Sequence, residues 1–244
     1  MENNNFDNVY KNVVQLDDPA ASSRKFIANV FLWMFVALGI SALGAYVFAS
    51  TPALLATLVD ITTGKFTIFG YVAMFSPLAF VMLMSFGLNR ISYPVLSLLF
   101  IAYAALTGIS LSFILLIFTS SSVLSVFLTA SVVFGVMAIA GYTTSQDLTK
   151  FGSIMIMLLV GVIVASILNA FLHSTGMEML ISYVGVAVFV GLTAYDVQKL
   201  KNIGAGIEYG DASASKMALM GGLTLYLDFI NLFLMLLRIF GRRR

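Results

Sequence analysis

The sequence predicts an all-α integral membrane protein, a bundle of seven transmembrane helices, on three observations. Its 244 residues are 60% hydrophobic and only 10% charged, with a mean hydropathy of +1.01, far from the composition of a soluble domain. Seven apolar runs recur along the chain, each close to the roughly 20 residues that cross the hydrocarbon core as a helix. Most of the links between them are short, as at Asn89–Ser92, Thr119–Ser122, Thr143–Lys150 and His173–Glu178. Such links join antiparallel neighbours into one domain, 27–241, rather than two.

The first 26 residues are polar and rich in Asn and Asp, and read as a flexible cytoplasmic arm. The first span, Ile27–Ala49, is too long for a signal-peptide core, and its leader is too long and acidic, so it reads as an uncleaved anchor. The next spans fall at Phe69–Leu88, Tyr93–Phe118, Val123–Tyr142, Phe151–Leu172, Met179–Val197 and Met217–Ile239. Two connections are longer, Thr51–Ile68 and Gln198–Lys216, and the second carries the Gly-rich and small residues of a loop. A basic tail, Arg242–Arg244, closes the chain and suits a headgroup surface.

With the N-terminus in the cytoplasm, Lys11, Arg24, Lys25, Arg90, Lys150, Lys199, Lys201 and Lys216 lie inside and only Lys65 lies in an outer loop. That asymmetry follows the positive-inside rule. Arg238 and the tail arginines oppose it if the last segment crosses. At 23 residues, about 34 Å as a helix, Met217–Ile239 is long enough to cross, and a re-entrant hairpin broken near Asp228 is the alternative.

Polar residues inside the spans fall on stripes at helical spacing. The last span carries Gly221, Thr224, Asp228 and Asn231, the sixth Ser182, Gly185, Thr193 and Asp196, and the third Tyr103, Thr107 and Ser110. Small and hydroxyl residues are explained by close helix packing. The aspartates are not, because an ionisable group at membrane depth costs about 2.5–3.5 kcal/mol on insertion scales and marks function by default. If the two carboxylates approach, both cannot ionise comfortably, and the pair titrates in coupled steps. Arg90 is the candidate partner, an always-charged guanidinium suited to a bidentate carboxylate bridge, although a plain loop role fits it equally well. Depth sets a condition. Asp196 is three residues from Lys199 and Asp228 twelve from Lys216, about 4.5 and 18 Å along their axes. They meet only if the sixth helix continues past Lys199 or the seventh starts later, near Gly221-Gly222.

The last span, LTLYLDFINLFLMLLRIFG, resembles the C-terminal signature of the Bax inhibitor-1 (transmembrane Bax inhibitor motif) family. AYDVQKLK is similar to its sixth-span aspartate motif and TGISLSF, from Thr107 to Phe113, to its third-span motif. The resemblance runs from about Phe26 to Gly241 and implies a seven-helix fold with the last helix central. It also implies a bacterial, pH-sensitive calcium leak channel of the cytoplasmic membrane. On that basis Asp196 and Asp228 correspond to a di-aspartyl proton sensor and Arg90 to the arginine that latches one aspartate when closed. The acidic residue that some relatives carry in the second span is missing from Phe69–Leu88.

The expectation is therefore a path along the polar face of the last helix, lined by Thr193, Thr224, Asn231, Thr107 and Ser110. Calcium ions and protons are its ligands, and Asp196 and Asp228 form a weak, transient calcium site, since calcium prefers six to eight oxygens and passage needs weak binding. No enzyme activity, resident cofactor or nucleic-acid partner is expected. A regulator that binds another membrane protein, such as a quality-control protease, is the alternative. An intramembrane aspartyl protease would also use two aspartates, but Leu225-Tyr226-Leu227 precedes Asp228 where such proteases place Gly-x-Gly. The single His173 reads as an outer-loop residue, and the thirteen Met as packing material. With no Cys, the chain has neither disulfides nor thiolate ligands.

Overall fold

The computed structural model describes residues 19–60, 65–88, 90–206 and 212–244. It contains helices α1 (Pro19–Ser50), α2 (Pro52–Leu58), α3 (Ile68–Gly87), α4 (Tyr93–Ile117), α5 (Ser120–Thr143), α6 (Thr149–Leu172), α7 (Thr175–Ala205) and α8 (Ala212–Phe240). Among the described residues seven of these, all but α2, are long and apolar enough to cross a membrane. The protein is a seven-span all-α membrane protein.

The last helix is its centre. α8 packs against α1, α4, α5 and α7. Its most apolar stretch is 56% buried, whereas α6, which packs chiefly on α7, is 11% buried and turns Leu, Ile and Val outward. A largely apolar helix belongs inside the protein or against lipid, and α8 and α6 are the two cases.

The helix ends follow local chemistry. Pro52 and Pro94 sit in the first turns of α2 and α4, where no backbone N–H is needed. The Thr67 side chain caps α3 by accepting from the Gly70 N–H at 3.1 Å. Inside α3, Pro77 cannot donate to the Ala73 carbonyl one turn back. The Ser110 hydroxyl of α4 donates to that carbonyl instead, so the gap in α3 becomes a link between helices.

Three expectations change. Residues 19–26, assigned to a flexible polar arm, are the first turns of α1. Ser22, Ser23 and Phe26 are buried there, and Ser23 Oγ donates to the Lys201 carbonyl at 2.9 Å. The polar lettering concealed this because the face is satisfied by α7 rather than by water. The rest of the arm, residues 1–18, lies outside the described residues. The segment Thr51–Ile68 holds the short α2, followed by an antiparallel bridge between Val59 and Phe66. The Gln198–Lys216 segment is mostly helix: α7 runs to Ala205 and α8 begins at Ala212, with 207–211 outside the described residues.

The last segment is an unbroken helix through Asp228, so the hairpin alternative is excluded. Its 29 residues extend about 43 Å. Beyond it the tail folds back onto the turn between α4 and α5. The Thr119 N–H donates to the Arg242 carbonyl at 3.0 Å and the Arg244 N–H to the Ile117 carbonyl at 2.9 Å. Arg243 lies 3.9 Å from Glu178 at the start of α7. The tail thus occupies the end of the bundle opposite the start of α1, the end of α7 and the start of α8.

Candidate functional site

α7 and α8 run antiparallel, with glycines at the points where their backbones come close. A Cβ at Gly221 would meet the Leu200 side chain at 2.7 Å, and one at Gly185 would meet Met235 at 3.0 Å. Between these two contacts the register places Asp196 opposite Asp228, with their carboxyl groups within hydrogen-bonding reach of each other. The depth condition is met by the first of its two routes, since α7 continues past Lys199 to Ala205. Asp228 is only 5% exposed and its Oδ2 has no hydrogen-bond partner among the described residues. Asp196 is half-buried.

Both aspartates line a cavity of about 530 Å³ between α6, α7 and α8. Its polar lining is Ser166 from α6, Tyr195 and Lys199 from α7, and Thr224 and Asn231 from α8; the remainder is aliphatic or aromatic. Thr224 Oγ1 donates to the Met220 carbonyl at 3.1 Å and Asn231 Nδ2 to the Leu227 carbonyl at 2.8 Å. Each bond uses the donor on its own helix and leaves an oxygen lone pair for a guest. No cluster of three or more His, Cys, Asp or Glu side chains occurs among the described residues. A cation in the cavity would therefore find two carboxyl groups, the hydroxyls of Ser166, Tyr195 and Thr224 and the Asn231 amide oxygen, with too few charged ligands for tight calcium binding.

Residues 23–244 match the family described as "Inhibitor of apoptosis-promoting Bax1". The chain belongs to the Bax inhibitor-1 family. It is 43% identical over 227 residues to "Inner membrane protein YbhL" of Escherichia coli (strain K12), across 93% of this chain and 95% of that protein. Uncharacterized proteins of Rickettsia prowazekii and Borreliella burgdorferi are 39% and 42% identical, over 91% and 90% of this chain and 91% and 93% of their own lengths. The family match begins at Ser23, the residue that ties the start of α1 to α7.

The remaining residues picked out by sequence or by family resemblance fall elsewhere. Arg90 is exposed in the turn after α3, and among the described residues it forms no ion pair with either aspartate. α3 packs on α2 and α4 rather than on α7 or α8, so the latch is not formed in this structure. The cation beside Asp196 is instead Lys199, one turn along the same helix face. Thr193 is fully buried, with its hydroxyl bonded to the Phe189 carbonyl of its own helix. Thr107 bonds the Tyr103 carbonyl, and Ser110 serves the Ala73 carbonyl. None of these three lines the cavity; they are the helix-packing hydroxyls that small polar residues commonly supply.

Sequence reasoning passed over Lys199, Tyr195 and Ser166 as cavity residues. For Lys199 a signal existed, its three-residue spacing from Asp196. It also passed over a second polar cluster, on the face of α8 turned to α1 and α4. There Ser41 Oγ donates to the Ala104 carbonyl at 2.7 Å, so its remaining bond at 2.7 Å must be donated by the Tyr226 hydroxyl. The Tyr226 ring meets the Tyr103 ring edge-on, 5.6 Å between centroids. Beyond the aspartates the end of α7 holds the loop between α5 and α6. Gln198 donates to the Gln146 carbonyl and accepts from the Leu148 N–H, while Lys201 Nζ donates to the Tyr142 carbonyl at 2.8 Å.

Proposed function

We propose that this protein is a pH-sensitive calcium leak path of the bacterial cytoplasmic membrane, gated by the protonation of Asp196 and Asp228, with its N-terminus in the cytoplasm. The observation that carries the reading is the contact between two carboxyl groups inside a cavity bounded by the last three helices. Two carboxyls so placed share protons and titrate as a unit. Each proton gained or lost changes the cavity's charge by one unit, and with it the attraction for a divalent cation. With only two carboxyls in the lining, the site favours passage over storage, because conduction needs weak binding. The inner-membrane relative in Escherichia coli and the excess of Lys and Arg on the side of Arg90, Lys150 and Lys201 support the location and orientation.

The same pair could activate water against a peptide bond, but the packing around it argues for a conduit rather than a protease. Leu225 and Tyr226, just before Asp228, are fully buried against neighbouring helices, which leaves no space for a substrate backbone on that side.

The test is calcium-dye leak in proteoliposomes across a pH series. Asp196→Asn and Asp228→Asn each flatten the pH dependence, because neither can share a proton. A pH profile unchanged in both variants would refute the sensor.

A further inference from the structure

A second, smaller cavity of about 360 Å³ lies at the end of α7, lined by Thr149, Tyr195, Gln198, Lys199, Asn202 and Ile203. Tyr195 and Lys199 line both this polar vestibule and the aspartate cavity, so they form the wall between the two. The Tyr195 ring is seated against Gly152 of α6, where a Cβ would come within 2.3 Å of it. The Lys199 ammonium is 5.9 Å from the centre of that ring, and the side chain is exposed. A lysine stem is long and flexible, and its head is a compact charge. On the other side of the wall Asp228 Oδ2 is buried with no partner among the described residues.

We propose that Lys199 is a tethered cation that guards the aspartate pair against metal ions at the boundary between the vestibule and the cavity. When the pair holds one proton its net charge is minus one, and the Lys199 ammonium balances it. An incoming cation must then displace a positive charge already present, which sets a threshold for entry. The wall position gives the ammonium two places to lie, beside Asp196 or out in the vestibule, and a divalent ion can reach Asp228 only with the second. This inference rests on the reading of the aspartate cavity as a cation path, and makes Lys199 the residue that decides how readily a cation enters.

The test is equilibrium binding of terbium ion to the purified full-length protein in detergent, read by luminescence sensitised through Tyr195. Lys199→Met removes the charge and keeps the stem. At an effective dielectric constant near 20, removing a positive charge that lines the same cavity as the bound cation should tighten binding by about tenfold or more. Lys199→Arg keeps the charge and should bind terbium like the parent protein. The double variant Lys199→Met with Asp228→Asn should lose the gain. Equal affinity in the parent and Lys199→Met would overturn the proposal, as would a gain that survives loss of the Asp228 carboxylate. Because the readout is binding, it separates from the leak assay: flat leak profiles bear on the sensor, and terbium affinities bear on Lys199.

Discussion

Gly141 is where packing and the site meet. It lies on α5 against Ala194 of α7, two residues before Asp196, and a Cβ there would fall 2.1 Å from the Ala194 carbonyl oxygen and 2.8 Å from its Cα. These are backbone atoms that cannot rotate aside. Ordinary contact begins near 3.4 Å, so Gly141→Ala must part α5 and α7 by about 1.3 Å. Overpacking of this kind costs about 1–3 kcal/mol, partly offset by the roughly 0.5–1 kcal/mol that alanine gains over glycine within a helix. Asp228 is held by α8, which has its own contacts to α1 and α4, so the shift should fall on Asp196 and loosen the carboxyl contact. Gly135→Ala on the same helix meets nothing within 4 Å and supplies the control. The assays are thermal melting in detergent and the dye-leak pH series. Gly141→Ala should melt below the parent and shift the pH midpoint of leak, while Gly135→Ala melts at or above it with leak unchanged. Parent-like melting and leak in Gly141→Ala would refute the argument that this backbone approach sets the position of Asp196.

Other perturbations separate roles that the sequence left merged. Arg90→Gln should leave the pH profile of leak intact, since Arg90 is exposed and pairs with neither aspartate in this structure; a lost pH dependence would restore the latch. Tyr226→Phe removes the donor to Ser41 while Ser41 keeps its bond to the Ala104 carbonyl, so the expected loss is about 1 kcal/mol of stability, seen as a modest drop in melting temperature. In the loop between α5 and α6, hydrogen bonds from the Thr149 hydroxyl and N–H hold the Asp147 carboxyl below the ordinary carboxylate range. Its small contribution is present above the unfolded value of about 3.9 and is lost as pH falls through the lowered folded value. Carbon NMR titration of labelled aspartate should place its midpoint below that value, and a midpoint at or above it would contradict the capping.

The seven spans were legible because burial against lipid and burial against protein demand the same apolar letters. For the same reason the letters do not say which helix is central. α6 and α8 look alike as apolar runs, yet one is peripheral and the other is packed on four neighbours. Helix ends were less legible. The first turns of α1 and the end of α7 are polar in sequence but helical in fact, because Ser23 and Lys201 find partners on other helices and Gln198 on the loop between α5 and α6. A hydropathy pattern ends a span where water-compatible residues begin, and cannot register that those residues are bonded to the protein instead.

The aspartate pair was legible in kind and not in setting. An ionisable residue at membrane depth is flagged by its cost alone, and both carboxylates were. Whether they meet depends on how far α7 continues past Lys199, which tertiary contacts decide: Leu200 against Gly221, Gly204 against Phe26, and Lys201 on the Tyr142 carbonyl. The six further residues of α7 that these contacts stabilise lower Asp196 to the level of Asp228. They also carry Lys199 to the cavity wall, closer to the pair than Arg90, the residue to which sequence resemblance assigned the latch. An arginine on a distant turn can reach the pair only if helices move, whereas a lysine one turn from Asp196 needs only a change of rotamer. The charge balance of the site can therefore be reset locally, by a proton, an incoming cation or the swing of one side chain, before any rearrangement of the bundle.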